Sequence, residues 1–86
     1  MFRIESTTDG SRVVLRVIGR IRSGCIEELR QQIRNQASPI VLDLEEVDLV
    51  DLQSVRFLLD CQDRKIELRN CASYILEWIR CERVES

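Results

Sequence analysis

The chain has 86 residues, 44% apolar and 33% charged, with a net charge of −2. This is one domain, residues 1–86, around one core that buries about 60–65% of the extended chain's surface, with no room for a deep substrate cavity. Arginines scattered among Glu and Asp argue against nucleic acid as a partner, which needs clustered positive charge. No apolar run approaches bilayer length, and the charged start of the chain (Arg3, Glu5) leaves no signal-peptide core, so no membrane insertion and a cytoplasmic location are expected. Histidine is absent, which removes the commonest general base, the commonest metal ligand and every Ser-His or Cys-His nucleophile arrangement.

Residues 2–5 (Phe2, Arg3, Ile4, Glu5) alternate apolar and polar, as a half-buried strand does. The polar stretch 6–11 contains Asp9-Gly10, a short hairpin signal. Residues 12–19 follow as a β-branched strand ending at Gly19, expected to pair antiparallel with the first. Ser23 is placed to cap a helix, with Glu27 and Glu28 in its opening turn and Ile26, Leu29, Ile33 and Ala37 on one face. After Pro39, residues 40–44 form a compact strand, and 45–50 read as an acidic and apolar connection. Asp51 caps a second helix with Val55, Leu58, Leu59 and Gln62 on its stripe. Residues 65–69 alternate as a fourth strand. Asn70 caps a third helix whose stripe is Cys71, Ile75, Trp78 and Ile79, and the charged end beyond Cys81 frays.

The order β-β-α-β-α-β-α predicts an α/β fold with a mostly parallel sheet and right-handed crossovers. Phe2, Ile4, Val13, Leu15, Val17, Ile40, Leu42, Leu44, Ile66 and Leu68 can all point one way, with Arg3, Glu5, Arg16, Asp43, Glu67 and Arg69 opposite. A sheet buried on both faces would read as continuous apolar runs. The expectation is therefore a two-layer, singly wound, mixed four-stranded sheet of order 1-2-3-4, strand 1 antiparallel, with three helices on one face.

Residues 13–21 (Val-Val-Leu-Arg-Val-Ile-Gly-Arg-Ile), 40–51 (through Val47-Asp48-Leu49-Val50-Asp51), 66–70 and the helix with Ile75, Trp78 and Ile79 resemble, in that order, the core of STAS domains. These are the sulfate-transporter and anti-sigma-factor-antagonist modules. The resemblance implies a non-catalytic, bacterial protein-interaction module of signal transduction and transcription regulation. Its partner would be another protein, either an anti-sigma or switch-type kinase or, in a sister reading, a transporter component. Family antagonists carry Asp-Ser-x-Gly after the third strand, the serine being a phosphorylation switch. Here the turn reads Asp51-Leu52-Gln53-Ser54, with leucine at the acceptor position and serine at the glycine position, so the switch is absent. Many members continue into a fifth strand; ending after the third helix would leave strand 4 as an open edge, which with the open sheet face is a candidate homodimer surface.

The resemblance makes Asp51, Leu52, Gln53, Ser54, Arg56 and Phe57 a candidate partner-binding patch at the start of helix 2. Arg20 and Arg22 belong to the same end of the sheet, where open α/β sheets bind their ligands. The blander readings are a simple N-cap for Asp51 and solvated loop charges for the arginines. Cys25, Cys61, Cys71 and Cys81 have no C-x-x-C or metal-ligand spacing and read as reduced thiols, so neither a metal nor a cofactor is expected. The alternative class is a small thiol-redox protein, with Cys25 near a helix N-terminus as its best candidate and Cys81 as the more exposed thiol.

Overall fold

The strands outrun the patterned stretches: β1 spans Phe2–Asp9, its last four residues polar and exposed, and β2 spans Arg12–Ile21, two residues beyond Gly19. The computed structural model describes residues 2–36 and 39–85. The two strands pair antiparallel from Phe2↔Gly19 to Asp9↔Arg12 around Gly10-Ser11. Gly10 has φ +65, which a first central hairpin residue adopts without strain only as glycine.

Helix α1 (Ser23–Arg34), strand β3 (Ile40–Val50), helix α2 (Leu52–Asp63), strand β4 (Glu67–Arg69) and helix α3 (Ser73–Glu85) complete the fold. The sheet order is β1-β2-β3-β4, with β2–β3 and β3–β4 parallel. One cluster holds the core. Val13, Leu15, Val17, Ile21, Ile40, Leu42 and Leu44 from the sheet meet Ile26 and Leu29 of α1, Val55, Phe57, Leu58 and Cys61 of α2, and Ile75 and Ile79 of α3. The helices therefore cover one face, as the alternation requires.

The outer face is not purely polar. Val14 and Val41 are partners in the β2–β3 ladder, lie outside the core cluster, and are nevertheless only 8% and 1% exposed. Ion pairs Arg12–Glu67 (3.3 Å) and Arg16–Glu46 (2.8 Å) span that face, and the aliphatic stems of such arginines shelter apolar neighbours while their heads stay wet. Asp43, also on this face, is half-buried and accepts from the backbone N–H of Glu45 (3.1 Å) and from Asn70 Nδ2 (3.3 Å).

Several local expectations are corrected. The capping position of α1 is Arg22, extended at φ −118 with no side-chain cap bond; Ser23 is the first helical residue, and Glu27 and Glu28 fall beyond the opening turn. Ala37 lies outside the described residues. Asn70 does not cap α3: it sits at φ 57, three residues ahead of the helix, tied to Asp43. The α2 stripe runs through Ser54, Val55, Phe57, Leu58 and Cys61, with Leu59 and Gln62 at its margin. Residues 45–50 are strand, not connection. The β2 partners step from Arg16↔Asp43 to Ile18↔Glu46 and from Gly19↔Val47 to Arg20↔Leu49, so β3 holds one extra residue at each step. Two bulges replace the period of two, and Val47 and Val50 reach the core's margin three residues apart.

Candidate functional site

The bulged ends of β2 and β3 and the start of α2 form one surface. Asp51, extended at φ −107, precedes α2, and its carboxylate accepts from the Ser54 backbone N–H at 2.9 Å, an N-cap bond as expected. Ser54 adds a second tie. Its hydroxyl lies 2.7 Å from the Ile21 carbonyl and 2.7 Å from Asp51 Oδ1, and the residue is fully buried. The end of β2 is thereby stapled to the start of α2 through a satisfied buried polar group.

Beside this staple, Arg20, Ile21, Arg22, Leu49, Val50 and Asp51 line an open pocket of about 240 Å³. Arg20 and Arg22 are exposed and at the same end as Asp51, as the sequence suggested. Leu52 is 38% exposed and Leu49 54%, with Gln53 exposed between Leu52 and the buried Ser54. Gly19, at φ 101 and buried between Phe2 and Val47, marks the second bulge; a side chain there would be strained.

The eight sequence candidates therefore divide. Arg20, Arg22 and Asp51 line the one pocket, Leu52 and Gln53 follow Asp51 in the exposed first turn of α2, and Gln53 also lines the groove between α1 and α2. Arg56 is exposed one turn further along α2 but engages Glu82 of α3 at 3.2 Å. Ser54 and Phe57 are not surface residues: Ser54 is the staple, and Phe57 is 6% exposed, with the Arg30 guanidinium 5.5 Å from its ring centroid. A shallow 460 Å³ groove between α1 and α2, lined by Ile26, Glu27, Arg30, Gln53, Arg56, Phe57 and Asp60, runs beside them.

Sequence reasoning missed Leu49 and Tyr74. Tyr74, half-exposed at the start of α3, donates its hydroxyl to the Asp48 carbonyl at 3.0 Å and so borders the same end of β3. A leucine inside an acidic stretch was the available signal, but its side depends on the bulge.

Two of the four thiols sit where the reactive form is disfavoured. Burial, reinforced by neighbouring Asp60, pushes the Cys61 thiol up to about 12, and burial also raises Cys71; both changes disfavour the reactive thiolate. Cys25 is half-buried with its sulfur 3.9 Å from the Arg20 carbonyl, and Cys81 is exposed. Among the described residues no three of His, Cys, Asp or Glu gather as a metal site would need, and no helix is long and apolar enough to cross a membrane.

No family model matches the sequence, and no curated protein is similar to it in sequence. Solved structures are similar in fold. The anti-sigma factor antagonist SpoIIAA in its unphosphorylated form superposes with a TM-score of 0.66 at 16% identity, covering 98% of this chain and 82% of that one. An antisigma-factor antagonist STAS domain from Rhodobacter sphaeroides gives 0.57 at 21% identity, covering 84% of this chain and 92% of that one. The protein Mglu gives 0.62 at 24% identity over 76% of this chain, which spans only 18% of Mglu. Sheet order, antiparallel first strand and three helices all agree with these antagonists: this chain has the STAS fold.

Proposed function

We propose that this chain is a non-catalytic regulatory module of the STAS type, working in the cytoplasm by binding another protein through the surface formed by Arg20, Arg22, Leu49, Leu52 and Gln53. The observation that carries the reading is the likeness in fold to an anti-sigma factor antagonist along 98% of this chain. The surface supports it: two cations and two exposed leucines around an ordered helix start provide a steering charge and an apolar contact without any catalytic group.

The module works without a phosphoswitch. Leu52 occupies the acceptor position and has no hydroxyl, while Ser54, the nearest hydroxyl in α2, is fully buried with its oxygen committed to Ile21 and Asp51. A kinase would have to unfold the start of α2 to reach it.

Titration calorimetry against purified switch-type kinases and against transporter ATPases from the same genome tests the reading. Wild type should bind one kinase with the same affinity before and after incubation with ATP, and Leu52→Asp should weaken that complex by about 1–3 kcal/mol, as truncation of a packed interface residue does. A complex indifferent to Leu52→Asp, or phosphate found on Ser54 that abolishes binding, would refute it. Binding confined to a transporter ATPase would replace the antagonist reading by the accessory-subunit one.

A further inference from the structure

Strand β4 is one of the two sheet edges among the described residues, β1 being the other. It pairs with β3 on one side only, through Val41↔Glu67, Leu42↔Leu68 and Asp43↔Arg69. Its length is fixed by backbone conformation, since Lys65 (φ 66) and Asn70 (φ 57) are left-handed at either end. By alternation Glu67 and Arg69 stand on the outer face, and Leu68 sits half-buried against the core. An unpaired edge is a template for another strand, and short, charged edges usually guard against that. Here the two charges have opposite sign and flank a central residue, so they discriminate among strands instead of repelling all of them.

We propose that β4 pairs antiparallel with β4 of a second copy about a two-fold axis through Leu68, so that Glu67 of each copy faces Arg69 of the other. The sequence Glu67-Leu68-Arg69 is its own charge complement when reversed. A two-fold at Glu67 would oppose Glu67 to itself and Lys65 to Arg69, and one at Arg69 would oppose arginine to arginine. Any register shifted by one residue would set outward Glu67 against inward Leu68, which the pleat forbids. The Leu68 register alone matches both charge and face, and such isologous contacts are the commonest closed assemblies. The present partners of Glu67 do not prevent it: Arg12 at 3.3 Å and Arg69 at 3.7 Å are exposed pairs of small net value.

Sedimentation equilibrium on the 86-residue chain tests the pairing. Wild type should show a concentration-dependent monomer–dimer equilibrium. Glu67→Arg and Arg69→Glu should each weaken self-association about tenfold or more, because both symmetry-related pairs become like-charged. An equimolar mixture of the two variants should recover a dimer, since the doubly basic edge of the first variant then faces the doubly acidic edge of the second. That recovery separates pairing across the interface from any disturbance of Arg12 within one chain. Circular dichroism melts should show both variants folded. A wild type that stays monomeric at the highest soluble concentration, or a mixture no more associated than its components, would overturn the proposal.

Discussion

From residue 40 to residue 44, β3 alternates in and out with Ile40, Leu42 and Leu44 nearly or fully buried on the core face. From residue 45 to residue 50 the same strand pairs with the same neighbour, yet Leu49 stands 54% exposed and Val47 and Val50 reach only the core's margin. The difference lies in the ladder. From Ile40 to Asp43 the strand pairs residue for residue with β2; beyond Asp43 it absorbs two extra residues, and each one re-aims the side chains beyond it. The regular half closes the core, and the bulged half presents the surface beside α2. Continuous pairing keeps a strand's side chains on the core face, whereas bulges re-aim them toward solvent.

Substitutions on either side of this divide should separate the two halves. Leu44, 2% exposed where the regular ladder gives way to the first bulge, carries the largest effect. Leu44→Ala should destabilise the fold by about 2–5 kcal/mol, the cost of lost burial plus the cavity left behind, read by urea denaturation. A loss below about 1 kcal/mol would mean that the core ends before residue 44 and would remove the distinction.

Ser54→Ala probes the joint between the halves. It leaves the Asp51 cap on the Ser54 backbone N–H intact but strips the Ile21 carbonyl of its 2.7 Å hydroxyl partner. A buried acceptor left unpaired costs about 1–3 kcal/mol, so the same denaturation experiment should give a loss in that range. A neutral outcome would show that water satisfies Ile21 and that the staple is not what fixes α2 against β2.

How much of this was legible in the sequence follows the same divide. Where the pleat is regular, period-two patterning carries the strands, their facing and their order, and Asp51 is readable as a cap because its chemistry is local. What was missed depends on tertiary context. Val14 and Val41 are buried on the outer face, which the ion pairs Arg12–Glu67 and Arg16–Glu46 also occupy, and a two-residue period gives no sign of that cover. Helical spacing puts Phe57 on the surface and Leu59 in the core unless Ser54 and Cys61 are counted as small interior residues, and leaving them out rotates the inferred stripe. Ser23 and Asn70 have the right composition for caps, but the chain turns elsewhere: at Arg22, and after a left-handed Asn70 held by Asp43. Leu49 was unreadable, since an extra residue in a ladder is a property of two strands and not of either sequence alone.

Leu49 supplies the smallest stability effect and the sharpest test of the comparison. Its backbone pairs with Arg20 in the ladder, and its side chain, pushed outward beyond the second bulge, lines the open pocket with Arg20 and Arg22. Replacing it with serine leaves the ladder intact and removes apolar area that is already largely hydrated. Leu49→Ser should therefore change folding stability by no more than about 0.5 kcal/mol, the range of ordinary surface substitutions, in contrast to Leu44→Ala five residues earlier. If the bulged half serves as a contact surface, the same substitution should weaken the proposed complex with a partner protein while leaving the melting temperature unmoved. Binding and unfolding measured on one preparation distinguish the outcomes. A stability loss above about 1 kcal/mol would place Leu49 in a packed environment and make the bulged half an extension of the core. Unchanged affinity with unchanged stability would move the binding surface off β3 and leave it to the exposed start of α2.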